Sequence, residues 1–146
     1  MKLSPKLTTS FKDYDSYHRN KSNKYTHYLG IPLIVVSLFG LLAKLSLFSV
    51  DNFVVTGAAV LGAIALVWYL MLDLKIGLIF LPVLALAYWL GGQFSTSTLW
   101  IMFVAGWVLQ FIGHSAYEKN RPAFFRNFQH LLIGPLWIFC DLAGLR

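Results

Sequence analysis

Four long apolar runs constrain the fold of this 146-residue chain more than any other feature. They lie at about residues 28–48, 53–72, 74–90 and 98–117. Each approaches the ~20 residues that a helix needs to cross a hydrocarbon layer about 30 Å thick. Only 12% of the residues are charged, which is too few for the surface of a soluble domain of this size. Because the connections are short, the sequence predicts an all-α integral membrane four-helix bundle, formed by a single domain over residues 1–146.

The two ends of the chain differ from these runs. The first 27 residues form a short polar N-terminal segment. A last apolar piece, at about residues 131–145, is interrupted by Gly134 and Pro135 and carries Asp141. It is too short to span a membrane, so we predict a re-entrant or interfacial helix there.

Lysine and arginine residues concentrate before the first run and after the fourth. Since cytoplasmic segments carry the excess of these residues, both termini are expected on the cytoplasmic face, with an even number of crossings between them. The membrane is either a bacterial inner membrane or the endoplasmic reticulum. The lysines and arginines that give the net charge of +6 flank apolar runs and form no soluble basic face. They therefore indicate contact with lipid head groups or an acidic substrate, and they do not indicate nucleic-acid binding.

The four histidines lie next to the outer ends of the first and fourth runs: His18, His27, His114 and His130. An even number of crossings brings all four to one membrane face. On one straight helix His18 and His27 would point in opposite directions, because nine residues make half a revolution. The backbone must therefore bend between them if both bind one ion. A shared metal site and separate hydrogen-bonded interfacial histidines both remain open from this pattern.

Two long motifs at opposite ends of the chain resemble the Mpo-like family of membrane proteins. They are "YHRNKSNKYTHYLGIP" and "GHSAYEKNRPAFFRNFQHLLIGPLW", and the hydropathy plan between them matches as well. The resemblance implies an iron(II)-dependent dioxygenase that shortens a 2-hydroxy fatty acid by one carbon with O2 (fatty acid α-oxidation). It also implies that the motif histidines, His18, His27, His114 and His130, are the catalytic metal ligands.

The implied chemistry suits the surrounding residues. Neutral imidazoles suit iron(II), and open coordination positions would accept O2 and the hydroxy acid. Hydrogen bonds to the imidazole N–H groups would orient the ligands, and the candidates for this role are Asn20, Asn23, Glu118, Asn120 and Asn127. For Glu118, ligation of the metal is the alternative. The candidates to pair with the substrate carboxylate are Arg19, Lys24, Lys119 and Arg121.

Other functions fit the sequence less well. Membrane desaturases need about eight clustered histidines, and a metal or proton carrier needs ionisable residues at mid-membrane, which these runs lack. The alternative function is a non-catalytic membrane lipid-binding or scaffold protein with structural histidines, because the same cations would contact head groups. A homo-oligomer is compatible with the sequence.

Overall fold

The structure, a computed structural model, is dominated by helices. It describes residues 2–119, 122, 124 and 127–146. The elements in chain order are α1 (Pro5–Ser16), α2 (Lys21–Ala43), β1 (Ser46–Val50), β2 (Phe53–Thr56), α3 (Gly57–Leu72), α4 (Leu74–Gly92), α5 (Thr96–Ile112), a π-helix (Gly113–Glu118) and α6 (Gln129–Leu142). The predicted helical class is confirmed.

Three helices of the described part of the chain are long and apolar enough to cross a membrane. They are α2 with 23 residues, α4 with 19, and α5 together with the π-helix with 23. Large apolar side chains point outward from α3, α4 and α5, among them Met71, Trp89 and Ile101. A soluble surface rarely shows so many exposed apolar side chains, so these helices indicate membrane association.

The second predicted run, 53–72, is shorter as a helix than expected. Helix α3 has 16 residues and is about 24 Å long, which is less than the ~30 Å of a hydrocarbon layer. The four-helix bundle and its even number of crossings therefore stay predictions.

A β-hairpin replaces the loop expected between the first two runs. Helix α2 already ends at Ala43, so the predicted end of the first run at residue 48 was wrong. Strands β1 and β2 pair antiparallel, with Val50 opposite Phe53. The turn between them contains Asp51 with φ of +51°, in the left-handed region that Asp and Asn tolerate better than most residues. β-branched and aromatic residues favour strands over helices in such a short apolar stretch.

The polar N-terminal segment is mostly helical, which the sequence analysis did not anticipate. The Ser4 hydroxyl accepts a hydrogen bond from the Leu7 amide at 3.1 Å, and Pro5 occupies the first position of α1. One face of α1 is buried, through Leu7, Phe11 and Tyr14. This face contacts α6.

Helix α6 continues through Gly134 and Pro135, so the expected interruption there was wrong. The missing side chain of Gly134 is needed, because a Cβ there would lie 2.9 Å from Ile31 and 3.1 Å from the Tyr14 hydroxyl. Cys140 is fully buried, as a small apolar residue would be. The re-entrant or interfacial placement of α6 stays a prediction.

The chain divides into two compact units. The first, here called the histidine unit, comprises residues 1–33 and 105–146, and the second, the hairpin unit, comprises residues 34–104. The hairpin unit is packed around small residues: a Cβ on Gly91 would lie 2.5 Å from the Gly40 nitrogen. The single domain over 1–146 stays a prediction.

Candidate metal centre

The junction between α1 and α2 brings two histidines together. Helix α1 ends at Ser16 and α2 begins at Lys21, so the chain turns between them. The Asn20 side chain accepts a hydrogen bond from the Ser22 amide at 2.8 Å and caps the start of α2. His18 lies in the turn and His27 in the second turn of α2. The bend expected between the two histidines is present.

His114 completes a cluster of three buried imidazoles. One nitrogen from each of His18, His27 and His114 lies within 4.8 Å of the other two. The ring centroids are 4.5 Å apart for His18 and His27, 4.8 Å for His18 and His114, and 4.9 Å for His27 and His114. We call these three residues the histidine cluster.

Backbone carbonyls fix the tautomers of two members of the cluster. The Nδ1 of His18 lies 2.7 Å from the Tyr14 carbonyl oxygen, and the Nδ1 of His27 lies 2.9 Å from the Asn23 carbonyl oxygen. A carbonyl oxygen only accepts hydrogen bonds, so each Nδ1 carries the proton and each neutral ring exposes a bare Nε2. These two Nε2 atoms are 3.1 Å apart. Two lone pairs facing at that distance form no hydrogen bond and repel each other, and a cation bound between them would remove this repulsion.

The geometry of this pair suits a transition metal. With metal–nitrogen bonds of about 2.1 Å, two nitrogens 3.1 Å apart subtend about 95° at the ion. Burial keeps the rings neutral: it lowers the pKa of His18 from 6.5 to about 2, with a smaller contribution from nearby His27. A neutral imidazole is the form that binds metal, so His18 is ready for coordination at neutral pH.

The π-helix sets the position of His114. Gly113, its first residue, lies so close to α2 that a Cβ would be 2.3 Å from both the Asn23 side-chain oxygen and the Thr26 hydroxyl. π-Helical turns are rare and often occur at functional sites. Within the described residues, the Nδ1 of His114 is buried without a hydrogen-bond partner. This nitrogen is therefore also open to a ligand.

Glu118 ties the end of the π-helix to the start of α2. Its Oε1 accepts hydrogen bonds from the Asn20 amide at 2.8 Å and the Asn23 side-chain nitrogen at 3.0 Å. A carboxylate at a helix N-terminus is stabilised by the unpaired amides and the helix dipole. Asn23 in turn supplies the carbonyl that holds His27. Among the described residues, no carboxylate belongs to the cluster. The predicted role of Glu118, to orient the imidazoles or to bind the metal, stays a prediction.

The family model described as "2-hydroxy-palmitic acid dioxygenase Mpo1-like" matches residues 5–145. The chain belongs to this family. The chain is also 31% identical over 135 residues to the 2-hydroxy-palmitic acid dioxygenase MPO1 of Saccharomyces cerevisiae, a match that covers 88% of this chain and 74% of the yeast protein. No solved structure matches.

The fourth histidine of the Mpo1-like chain lies outside the cluster. The Nε2 of His130 lies 2.8 Å from Oδ2 of Asp13, and its ring stacks on Tyr14 and meets the edge of Tyr17. Because an ionised carboxylate only accepts hydrogen bonds, neutral His130 carries its proton on Nε2. Its Nδ1 is then bare, and it is buried without a partner in the described structure. Metal ligation by His130 stays a prediction.

The other predicted residues of this Mpo1-like chain have separate positions. Arg19 and Lys119 are exposed, and the Lys24 ammonium lies 5.4 Å from the centre of the Trp137 ring. The side-chain oxygen of Asn127 accepts a hydrogen bond from the Gln129 amide at the start of α6, and not from an imidazole. The predicted residues Asn120 and Arg121 lie outside the described residues.

Sequence reasoning missed two residues of α1 that contact the histidines. Asp13 holds His130, and Tyr14 both supplies a carbonyl to His18 and stacks on its ring at 4.0 Å. A signal was available: Ser4 and Pro5 form a helix start, and apolar residues follow at i, i+4 and i+7. Recognising α1 would have placed Tyr14 one turn before His18.

Proposed function

We propose that this chain is an iron(II)-dependent dioxygenase that shortens 2-hydroxy fatty acids by one carbon with O2. The observation that carries the proposal is the pair of bare Nε2 atoms of His18 and His27 facing each other beside His114. Family membership and the yeast relative's name support a dioxygenase that acts on this class of lipid.

The histidine cluster supplies the metal-binding residues. His18 and His27 would bind through Nε2, with His114 as the third ligand and His130 as the predicted fourth. Three or four neutral imidazoles suit iron(II) and leave its double positive charge uncompensated. Such a centre favours an anionic ligand, and the bound metal would supply Lewis acidity and redox chemistry for the reaction with O2.

The protein's own groups have three tasks in this proposal. The carbonyls of Tyr14 and Asn23 keep each Nδ1 protonated and each Nε2 available. Burial of the rings excludes water from the ligand atoms. Cationic side chains would pair with the carboxylate of the hydroxy acid. Arg19 follows His18 in the sequence and Lys119 follows the π-helix that carries His114; both are exposed, and neither forms an ion pair with a described carboxylate. Lys24 and Arg121 complete the candidates.

The amphipathic substrate accounts for a polar centre in such an apolar chain. A 2-hydroxy fatty acid has a charged head and a long apolar tail, so its reactive carbon lies near the boundary of a bilayer. We place both termini and the cluster on the cytoplasmic face of a bacterial inner membrane or the endoplasmic reticulum. The lysine and arginine bias of the two end segments supports this orientation.

The test is a turnover assay in detergent with 2-hydroxypalmitate, O2 and anaerobically loaded iron(II). We expect O2-dependent formation of the acid that is one carbon shorter, lost on chelation and restored by iron(II) but not by zinc. His18→Ala, His27→Ala and His114→Ala should each lose bound iron and turnover. Gln93→Ala, an exposed polar residue of the hairpin unit, is the control and should match the wild type.

The outcomes separate this function from its rival. A wild-type protein that binds no iron and leaves 2-hydroxypalmitate intact would contradict the dioxygenase. If that protein still bound fatty acids, and the histidine variants bound them equally well, a non-catalytic lipid-binding protein with structural histidines would replace it.

A further inference from the structure

A single guanidinium connects two of the helices around the histidine cluster. The Nη1 of Arg146 donates to both carboxylate oxygens of Asp15, at 2.9 and 3.2 Å. Its Nε donates to Oδ1 of Asp141 at 2.8 Å. Asp15 lies on α1 and Asp141 on α6, so this side chain holds the two helices together. We call Arg146 with Asp15 and Asp141 the arginine clamp.

Trp137 lies between the arginine clamp and the histidine cluster. The Arg146 guanidinium lies over its ring, 4.3 Å from the centre, and the indole nitrogen donates to Asp15 at 2.9 Å. The ring is fully buried and its centre lies 6.2 Å from that of His18. A shift of Arg146 would therefore move a large, closely packed ring beside a predicted metal ligand.

The residues of the clamp also contact both segments that carry cluster histidines. The His18 amide donates to the Asp15 carbonyl at 3.1 Å. On α2, Tyr28 directly follows His27, and its hydroxyl donates to Asp141. The two aspartates that bind Arg146 are thus each hydrogen-bonded to a segment that carries a cluster histidine, Asp15 through its backbone carbonyl and Asp141 through its carboxylate.

From these contacts we propose that Arg146 is a positioning residue, which sets the separation of the His18 and His27 Nε2 atoms and so the metal affinity of the site. The inference rests on the proposed metal centre. The planar fork of arginine bonds two carboxylates while it stacks on an aromatic ring, and the point charge of lysine cannot reproduce all three contacts. None of these contacts involves a cluster imidazole directly, so Arg146 acts through its partners.

The experiment compares Arg146→Ala and Arg146→Lys with the wild type in the full chain. Co²⁺ is the probe, because its visible absorption reports both affinity and coordination geometry. We expect Arg146→Ala to weaken Co²⁺ binding about tenfold or more, in the range that mutations of outer partners of metal ligands produce, and to shift the absorption bands. Arg146→Lys should recover part of the affinity. Lys12→Ala removes an exposed cation of α1 and should bind Co²⁺ as the wild type does.

A second readout needs no metal. Hydrogen exchange of the metal-free protein should be faster in Arg146→Ala than in Lys12→Ala at the amides of residues 14–28, and unchanged in α3. Wild-type Co²⁺ affinity in a folded Arg146→Ala would overturn the proposed effect of the clamp on the metal site, whatever its exchange rates. If Arg146→Ala does not fold, Asp15→Asn decides, because it keeps an acceptor for Trp137 and loses only the charge that Arg146 needs.

The Co²⁺ titration and the hydrogen-exchange measurement together distinguish failure of the clamp from failure of the proposed function. A wild-type protein that binds no Co²⁺ contradicts the metal centre, and exchange at residues 14–28 then decides whether Arg146 positions these segments. A wild type that binds Co²⁺ while Arg146→Ala binds equally well overturns the clamp and leaves the metal centre standing.

Discussion

The two units of this chain bury different kinds of groups. Of the described buried polar residues, the hairpin unit holds Ser37 and Thr56, and the histidine unit holds the others: His18, Asn23, His27, Gln110, His114 and His130. Burial of a polar group costs free energy unless it is fully hydrogen-bonded. Four buried polar atoms lack a partner among the described residues, and all four lie in the histidine unit.

The difference indicates what each unit is built for. The hairpin unit packs backbone against backbone at small residues, an arrangement typical of helices that associate in membranes. The histidine unit tolerates unpaired polar atoms around bare imidazole nitrogens, as expected of a site that is completed by a ligand. Mutations at equivalent contacts in the two units should therefore have different consequences.

The largest effect is expected from Gly113→Ala in the histidine unit. A Cβ there would lie 2.3 Å from the side-chain oxygens of Asn23 and Thr26, so either these side chains rotate and lose their hydrogen bonds or the π-helix moves away from α2. Overpacking of this kind costs about 1–3 kcal/mol of stability. Because the π-helix carries His114, we also expect Co²⁺ affinity to fall about tenfold or more. Thermal unfolding and Co²⁺ titration measure the two effects, and unchanged Co²⁺ affinity in a destabilised variant would remove the link between this contact and the cluster.

Gly91→Ala in the hairpin unit should change stability alone. Its Cβ would lie 2.5 Å from the Gly40 nitrogen and 2.7 Å from the Val36 carbonyl oxygen, and backbone atoms cannot yield. We expect a loss of about 1–3 kcal/mol in unfolding free energy, with wild-type Co²⁺ affinity in the folded fraction.

Gly92→Ala provides the matched control for this change. A Cβ on the neighbouring glycine meets nothing within 4 Å, so that variant should be as stable as the wild type or slightly more stable. Equal stability of the two variants would show that α2 and α4 do not pack as closely at Gly40 as described.

The sequence predicted much of the helical plan and failed where tertiary contacts decide. Helix α4 at Leu74–Gly92 lies close to the predicted 74–90, since a long apolar run bounded by Asp73 is an unambiguous signal. The hairpin was missed because a short apolar stretch has no distinct period. Its turn residues, Asp51 and Asn52, were the available signal.

The candidate site divides in the same way. The meeting of His18, His27 and His114 followed from motif and topology, and the bend between the first two from helical periodicity. The partners Asp13 and Arg146 act across more than 100 residues of sequence, at 117 and 131 positions from His130 and Asp15. One sequence holds no periodicity that pairs such distant charges.

Asp13→Asn tests how far the metal site extends within the histidine unit. An amide can donate or accept, so it no longer fixes the proton of His130 on Nε2, and Nδ1 is no longer reliably bare. If His130 is the fourth ligand, Co²⁺ affinity should fall about tenfold, and further in His130→Ala. Asp51→Asn, an exposed acid of the hairpin turn where Asn also tolerates positive φ, is the control. Wild-type affinity in both Asp13→Asn and His130→Ala would restrict the site to three histidines.

The smallest expected effect is a pH dependence confined to the histidine unit, which contains all four histidines. Burial lowers the pKa of His18 from 6.5 to about 2, so the unfolded chain takes up a proton near pH 6.5 that the folded chain refuses until far lower pH. The stability that depends on neutral His18 is therefore complete well above pH 6.5 and declines as the pH falls through this value, and His18 alone accounts for about 1 kcal/mol between pH 6.5 and 5.5. Thermal unfolding of the metal-free protein in detergent measures this decline, and His18→Gln should make it shallower by about that amount. On acidification, hydrogen exchange should become faster first in the histidine unit. Its buried imidazoles oppose protonation, whereas the glycine contacts of the hairpin unit do not titrate. A stability that stays level or rises from pH 6.5 to 5.5 would contradict the neutral, metal-ready state of His18.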